Sequence, residues 1–185
     1  MARRKSQIIL GVTGSIAAYK SAEIIRGLKE KGFCVSVLMT KEAEEFITPL
    51  TLAILSQDKV YRELFGDVDF YSPEHISLAK KADLVLIAPA TANIIGKLAC
   101  GICDDLLSCV AMATRAPILI APAMNEDMYR SKILQENIER LKRNGLRFVG
   151  PIKGRLASGE IGEGCLAKIE TIVSEVGRIL KHGAP

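Results

Sequence analysis

Two short polar segments follow apolar runs near the start of the sequence and have the composition of a phosphate site. Gly14 and Ser15 come after residues 7–12, and Thr40 and Lys41 close a second apolar run. Glycine lets the backbone approach a ligand, and serine donates hydrogen bonds or simply caps the next helix. The G-x-G-x-x-G spacing of a dinucleotide site is missing, and Lys41 stands near where such a site needs an acid for the ribose. The pattern favours a mononucleotide over NAD.

Two Ala-Pro-Ala sequences, at 88–90 and 121–123, are each followed by side chains that can bind a flat ligand. Thr91 and Asn93 follow the first sequence, and Asn125 follows the second. Side-chain amides recognise the donors and acceptors of a planar ring, whereas Thr91 can equally serve as a helix cap. We expect the two segments to flank one ligand.

Two further segments carry candidate chemistry. His75, one of two histidines, closes the long aperiodic segment 58–75, where it is either a structural residue or a base that reaches a bound ligand. Residues 154–164 contain four glycines, which indicates either a flexible surface hairpin or a flap, at about 150–166, that folds over a substrate. Cys100 and Cys103 form a single C-x-x-C without a second pair, which is weak evidence for a metal or redox site, and we predict no metal.

The elements that must position these residues alternate between strands and helices. Apolar runs predict five strands, at 7–12, 33–40, 82–90, 116–124 and 146–150. Helical periodicity predicts segments ended by Gly32, within 41–57, over 92–113 with a break near Gly101, over 126–143 and at the end of the chain. This alternation predicts an α/β protein, a three-layer doubly wound parallel sheet in one domain spanning 1–185. Ligands of such sheets bind at the carboxyl ends of the strands, where all the polar segments fall.

Composition excludes several classes of partner. The net charge of +4 is spread along the chain, which does not indicate a nucleic-acid surface. No apolar run approaches the roughly 20 residues of a membrane span. Five cysteines, an odd number at irregular positions, favour reduced thiols and a cytoplasmic protein.

Five segments in order resemble the flavin-dependent cysteine decarboxylases, and the similarity extends from residue 8 to about 175. These segments are GVTGSIAAYK, HISLAK, PATANIIGKLACGICDDLL, PAMNEDMY and LASGEIGEG. Within the family the similarity is greatest to the phosphopantothenoylcysteine decarboxylases of coenzyme A synthesis, which are often fused to a phosphopantothenate–cysteine ligase. The resemblance implies a Rossmann-like or flavodoxin-like flavoprotein with bound FMN, which agrees with the mononucleotide inferred above.

The resemblance also implies roles for individual residues. Positions that match the family's FMN-phosphate contacts are Gly14, Ser15, Ile16 and Thr40, and those that match its flavin-ring contacts are Thr91, Ala92, Asn93, Ile94 and Ala123. His75 matches the catalytic histidine, and Asn125 the asparagine that binds the substrate carboxylate. Ala157 and Ser158 fall in the substrate-binding flap.

The implied reaction oxidises the cysteinyl thiol of phosphopantothenoylcysteine, releases carbon dioxide and then reduces the resulting ene-thiol. The family assembles as homotrimers, often as four trimers in a dodecamer, with FMN at the subunit boundary. This sequence departs from the family at two positions, because Ser158 replaces the usual flap cysteine and Cys165 replaces an arginine.

Three alternatives remain open. A peptidyl-cysteine decarboxylase would stop at the ene-thiol and would not need the flap cysteine. A flavin prenyltransferase is disfavoured because it lacks the pairing of His75 with Asn125. A regulatory FMN-binding flavoprotein without turnover is disfavoured because the sequence has both residues.

Overall fold

The computed structural model describes residues 4–65 and 74–182. The middle of the segment 58–75, residues 66–73, lies outside this range. The strands are β1 (Gln7–Val12), β2 (Cys34–Met39), β3 (Val60–Tyr61), β4 (Leu84–Ala90), β5 (Ile118–Pro122), β6 (Arg147–Phe148), β7 (Ile152–Arg155) and β8 (Ile161–Cys165). The α-helices are α1 (Ser21–Glu30), α2 (Pro49–Ser56), α3 (Glu74–Lys81), α4 (Ala92–Cys100), α5 (Leu106–Ala113), α6 (Glu126–Arg130), α7 (Lys132–Arg143) and α8 (Ile169–His182), and short 3₁₀ helices cover Ile16–Lys20 and Lys41–Ala43.

Six strands form one parallel sheet in the order β3-β2-β1-β4-β5-β6. The chain crosses from β3 on one edge back to β4 beside β1, so the direction of winding reverses between β1 and β4. Crevices form at such a reversal, outside the carboxyl ends of the strands. The remaining strands, β7 and β8, form a separate antiparallel hairpin.

The core lies on both faces of the sheet because alternate strand residues point to opposite sides. In β1, Ile8 and Leu10 pack with residues of α1, α2 and α8, whereas Ile9 packs with α4, α5 and α7. All of β1 and β4 is buried, as expected for strands covered on both faces. The three-layer doubly wound fold predicted from the sequence is confirmed.

Several predicted boundaries differ in the structure. The segment 126–143 forms two helices, α6 and α7, which meet at Ser131 with an extended ψ of 129°. The sheet has a sixth strand, β3, whose two residues are too few to show any periodicity. The predicted break at Gly101 is confirmed, because this residue ends α4 with φ at +72°. No helix in the described residues is long and apolar enough to span a membrane.

Candidate active site

A cavity of about 540 Å³ lies at the carboxyl ends of β1, β4 and β5, where the winding of the sheet reverses. The loops after these three strands form one side, and the β7–β8 hairpin forms the other. Nine residues predicted for the site line it, namely Gly14, Ser15, Ile16, Thr91, Ala92, Ala123, Asn125, Ala157 and Ser158. The cavity therefore brings together four of the polar segments identified in the sequence.

The loop after β1 is held by hydrogen bonds of its own serine. Ser15 Oγ accepts the N–H of Ala17 at 3.3 Å, which caps the first 3₁₀ helix, and it donates to the carbonyl oxygen of Ala123 at 3.1 Å. Gly14 has no room for a side chain, because a Cβ there would collide with Glu42. The backbone of this glycine was predicted to lie close to a ligand. In the structure it lies close to the second 3₁₀ helix.

Thr13, which sequence analysis missed, joins two of these loops. Its buried Oγ1 donates to the carbonyl oxygen of Pro89 at 2.7 Å and accepts the N–H of Thr91 at 3.1 Å. The loops after β1 and β4 are therefore fixed relative to each other. A threonine directly after the strand was the available signal, but its partners lie more than 75 residues away in sequence.

Four residues of the segment after β4 were predicted for the site, and two of them line the cavity. Thr91 and Ala92 line the cavity, and Thr91 also caps α4 by accepting the N–H of Ile94 at 3.5 Å. Asn93 is exposed outside the lining, and Ile94 is buried in the core beneath α4.

Asn125, after β5, caps α6 and lines the cavity at the same time. Its Oδ1 accepts the backbone N–H groups of Asp127 at 2.8 Å and Met128 at 3.3 Å. The oxygen side of the amide is therefore occupied by the helix, and the two N–H bonds of Nδ2 remain for an acceptor. A neutral donor of this kind can hold a carboxylate.

The hairpin has one anchored strand and a turn at the cavity. Met124 N–H donates to the carbonyl oxygen of Gly164 at 3.0 Å, and Glu163 N–H donates to Oε1 of Glu126 at 3.1 Å. A Cβ at Gly164 would collide with the carbonyl oxygen of Met124, so the strand needs glycine to pack here. The turn carries Ala157 and Ser158, both of which line the cavity.

The charge of the cavity is positive. Lys20 and Arg155 line it, and no acidic side chain is among the described lining residues. A cationic cleft of this kind concentrates anionic ligands. Neither cation was selected from the sequence, because a basic residue in a loop or helix end gives no specific signal.

Two further predicted residues, besides Asn93 and Ile94, lie outside this cavity. Thr40 lines a second cavity of about 310 Å³, and its buried Oγ1 has no hydrogen-bond partner in the described parts of the chain. His75 is the second residue of α3, and its buried Nδ1 likewise has no partner there. The structure of this single chain does not bring His75 to the lining of the larger cavity.

Residues 1–181 match the family model described as Flavoprotein. The chain belongs to this family. The flavoprotein is 49% identical over 158 residues to the Coenzyme A biosynthesis bifunctional protein CoaBC of Vibrio vulnificus (strain YJ016), a match that covers 85% of this chain but only 39% of that protein. It is 44% identical over 172 residues to a probable phosphopantothenoylcysteine decarboxylase of Streptococcus mutans, covering 92% of this chain and 96% of that protein.

Solved structures with the same fold have related names. A mutant PPC decarboxylase complexed with pantothenoylaminoethenethiol has a TM-score of 0.86 at 32% identity, covering 96% of the flavoprotein and 100% of that chain. The FMN binding protein AtHal3 has a TM-score of 0.84 at 31% identity, with 98% and 100% covered. The peptidyl-cysteine decarboxylase EpiD has a TM-score of 0.78 at 28% identity, with 93% and 98% covered. The cofactor of the flavoprotein is therefore a flavin.

Proposed function

We propose that the flavoprotein binds FMN and decarboxylates 4′-phosphopantothenoylcysteine to 4′-phosphopantetheine in coenzyme A biosynthesis. The observation that carries the proposal is the single cavity that gathers the loops after β1, β4 and β5 together with the hairpin turn. The Streptococcus mutans relative, similar over nearly its whole length, has the corresponding name. The flavoprotein spans about two fifths of the CoaBC relative from Vibrio vulnificus. The proposal accordingly includes a phosphopantothenate–cysteine ligase, fused or separate. It also includes the cytoplasmic location expected from the cysteines.

The residues of the cavity fit a phosphorylated flavin. The volume falls in the range of about 300–1,000 Å³ that is usual for small-molecule sites. Lys20 supplies positive charge beside Gly14, Ser15 and Ile16, the segment assigned to the FMN phosphate. Thr91, Ala92 and Ala123 supply small side chains along the part assigned to the ring. The contacts of Asn93 and Ile94 with the flavin ring, and of Thr40 with the FMN phosphate, remain predictions.

The remaining residues act on the substrate. Bound FMN supplies the oxidation of the cysteinyl thiol that allows the carboxylate to leave, and it returns the electrons afterwards. Asn125 holds the carboxylate through its Nδ2 donors, and because the amide is neutral it does not pair with the charge that must depart. In this proposal Ser158, which lines the cavity in the hairpin turn, donates a proton in the final reduction. A hydroxyl is a much weaker acid than a thiol, so this step is expected to be slow.

His75 is proposed as the base, and its position makes the proposal depend on assembly. In one chain it lies on α3, outside the cavity lining. In the homotrimer or dodecamer expected from the family, a second subunit supplies His75 to the cavity. The apolar rim of the cavity supports this arrangement, because Ile16, Tyr19 and Met128 are each at least half exposed around it.

A peptidyl-cysteine decarboxylase that releases an ene-thiol is the second candidate, and Ser158 is the observation that favours it. The match to EpiD, at 28% identity, agrees with this activity but is weaker than the 44% identity to the Streptococcus mutans relative. We therefore place the small-molecule substrate first.

The deciding experiment supplies the purified protein with FMN and phosphopantothenoylcysteine. We expect flavin absorbance to remain with the protein after desalting, and we expect release of carbon dioxide. Mass spectrometry of the product distinguishes saturated phosphopantetheine from the ene-thiol. His75→Asn is the matched control, since it should keep the flavin and lose the carbon dioxide. A protein that retains flavin but decarboxylates neither this substrate nor a cysteine-terminated peptide would favour the regulatory alternative.

A further inference from the structure

Two cysteines between α4 and α5 lie together at a place that the proposed reaction does not use. Cys103 is exposed in the connecting segment, and Cys109 is half-buried near the start of α5. Sγ of Cys109 donates to the carbonyl oxygen of Cys103 at 3.4 Å, and Sγ of Cys103 lies 3.9 Å from the carbonyl oxygen of Gly101 and 4.0 Å from that of Ser108. Each thiol is thus held against the backbone of the other cysteine or of its neighbour.

The connecting segment is fixed at both ends, so this proximity is a property of the fold. Asp105 caps α5 by accepting the N–H of Ser108 at 2.7 Å, and Ser108 Oγ accepts the N–H of Asp105 in return at 3.2 Å. Lys97 Nζ lies 2.7 Å from Oδ1 of Asp104 and 2.6 Å from Oδ2 of Asp105. Gly101 ends α4 in the left-handed conformation that directs the chain into the segment.

We propose that Cys103 and Cys109 are a modification site, a dithiol that forms a reversible intramolecular disulfide when a hydroperoxide is present. The peroxide first oxidises one thiol to a sulfenic acid and leaves as water or an alcohol. The second thiol then attacks this sulfur, an S–S bond forms and a further water leaves. In total the two thiols lose two protons and two electrons, which reduce the O–O bond.

The surroundings assign an order to the two steps. Burial raises the pKa of the Cys109 thiol, and the nearby Cys103 and Asp105 raise it further. A raised pKa leaves less of the reactive thiolate, so Cys109 is the slower nucleophile toward a peroxide. Cys103 is the more exposed thiol and reacts first, and Cys109 closes the disulfide.

Cys100 is the competing partner that the C-x-x-C spacing would select. It is exposed at the last residue of α4, and it makes no hydrogen bond to either thiol within the described residues. The structure therefore assigns the pair as Cys103 with Cys109. This assignment is independent of which substrate the flavoprotein uses.

The test exposes the full chain to hydrogen peroxide, alkylates the remaining thiols and digests with a protease that cleaves before aspartate. Cleavage before Asp104 separates Cys103 from Cys109, but Cys100 stays in the same peptide as Cys103. A link between the two peptides therefore places Cys109 in the disulfide, and the variants identify its partner. We expect two of the five thiols to be lost and to be restored by dithiothreitol. The Cys100→Ser variant should still form the link, whereas Cys103→Ser and Cys109→Ser should not.

Two controls show whether a variant loses the disulfide link for a reason other than unfolding. Circular dichroism and retained flavin establish that each variant is folded, and Cys109→Ala repeats the loss without a hydroxyl at this position. A link between Cys100 and Cys103, a disulfide between two chains, or equal oxidation of all five cysteines would overturn the assignment.

Discussion

At the scale of single residues, the side chains that line the cavity also hold the protein together. Ser15, Thr91 and Asn125 each cap a helix and line the cavity. A structural and a functional role are therefore not alternatives at these positions. Because the cap fixes one side of the group, the side that faces the cavity is oriented before a ligand binds, which lowers the entropy lost on binding.

Ser158, which by resemblance stands where the family has its flap cysteine, leads to a prediction about the rate-limiting step. We expect oxidation and decarboxylation to proceed, and the final reduction to limit turnover because a hydroxyl is a poor acid. The ene-thiol should accumulate in the wild type, and Ser158→Cys should raise the rate of saturated product by about tenfold or more. Quenched-flow mass spectrometry of the two products measures this directly.

The neighbouring thiol provides the control for that prediction. Cys165 lines the same cavity, and its Sγ donates to the carbonyl oxygen of Arg155 at 3.4 Å. If Cys165→Ala blocks saturated product while Ser158→Ala has no effect, Cys165 is the proton donor. If neither substitution changes the product and no lag is seen, water or another group serves and the prediction for Ser158 is wrong.

About half of the residues that line the cavity were predicted from the sequence, some from strand ends and polar segments and the others from the family resemblance. Parallel strands bring their carboxyl ends to one edge, so Gly14, Thr91 and Asn125 could be grouped without any coordinates. Thr13, Lys20 and Arg155 could not, because their importance depends on partners or on a cavity wall that only the folded chain creates. Thr40 was selected because it closes an apolar run, and His75 because it closes a long aperiodic segment, but in one chain both lie outside the cavity.

At the scale of elements, the hairpin divides into an anchored strand and a turn at the cavity. Glu126, the first residue of α6, links this helix to the hairpin because its Oε1 accepts the N–H of Glu163. The same oxygen pairs with Arg130 of α6 at 2.8 Å. A Cβ at Gly162 would collide with the Glu126 carboxylate, so the contact is closely packed. The position of Ser158 at the cavity thus depends on this carboxylate as well as on the hydrogen bond between Met124 and Gly164.

We predict that Glu126→Ala raises the KM for the substrate by about tenfold, the effect of losing one hydrogen bond to a charged group. The flavin should remain bound, because Glu126 does not line the cavity. Glu126→Gln keeps an acceptor for the N–H of Glu163 and should restore most of the loss. Steady-state kinetics on desalted, flavin-loaded protein measures the change.

A matched variant tests the ion pair between Glu126 and Arg130 separately from the hydrogen bond between Glu126 and the N–H of Glu163. Arg130→Gln removes the charge on the exposed side and leaves the N–H of Glu163 bonded, so we expect a KM close to that of the wild type. Equal effects of Glu126→Ala and Arg130→Gln, or loss of flavin in either, would instead indicate a general disturbance of α6.

Asp105, at the junction of α4 and α5, leads to a prediction about how the free energy of unfolding depends on pH. Burial opposes the ionisation of Asp105, but hydrogen bonds from Lys97 and Ser108 outweigh it and hold the pKa of this carboxyl below its usual 3.8. A lowered pKa in the folded state contributes stability above the unfolded value, and this contribution is lost as the pH falls through the folded value. We expect Asp105→Asn to lower the free energy of unfolding by about 1 kcal/mol at pH 7.

Urea unfolding from about pH 7 to about pH 2.5 checks this prediction. The difference between wild type and Asp105→Asn should shrink as the pH falls below about 4. Asp104→Asn is the control, because Asp104 also pairs with Lys97 but its side chain is 59% exposed, against 26% for Asp105. A difference that stays constant with pH would show that the effect is one of packing rather than of charge.

Elements with strong periodicity were predictable, and short ones were not. The central strands are buried on both faces and appear as continuous apolar runs, so their order along the chain was sufficient for the fold class. The break at Ser131 was missed because Leu134, Ile138 and Leu141 of α7 alone determined the helical pattern, whereas no residue of α6 is buried. Serine is a common N-cap, so Ser131 was the available local signal. In the structure its side chain makes no cap hydrogen bond.

At the scale of the whole molecule, exposed apolar side chains lie around the cavity. Ile16 is 56% exposed, Tyr19 53% and Met128 50%, and all three line the same opening. Large apolar side chains grouped around a binding site are typical of an interface. Together with His75 on α3, this rim supports a homotrimer in which each cavity lies at a boundary between subunits.

We predict that light scattering will give a mass of three, or a multiple of three, times the 20.1 kDa of one chain. A trimer with shared sites also predicts complementation between two inactive variants. Subunits with His75→Asn and subunits with Asn125→Gln are each expected to be inactive alone. In randomly mixed trimers about one cavity in four would combine a native Asn125 with a native His75 from its neighbour, so about a quarter of wild-type activity should return.

The control for this experiment mixes two preparations that both carry His75→Asn, which cannot complement each other. Flavin content before and after mixing establishes that both variants keep their fold and cofactor. If each His75 served the cavity of its own chain, every cavity in the mixed trimers would lack one of the two residues, and no activity would return whatever the size of the oligomer. The experiment therefore separates a shared active site from simple association, which a measurement of mass alone does not.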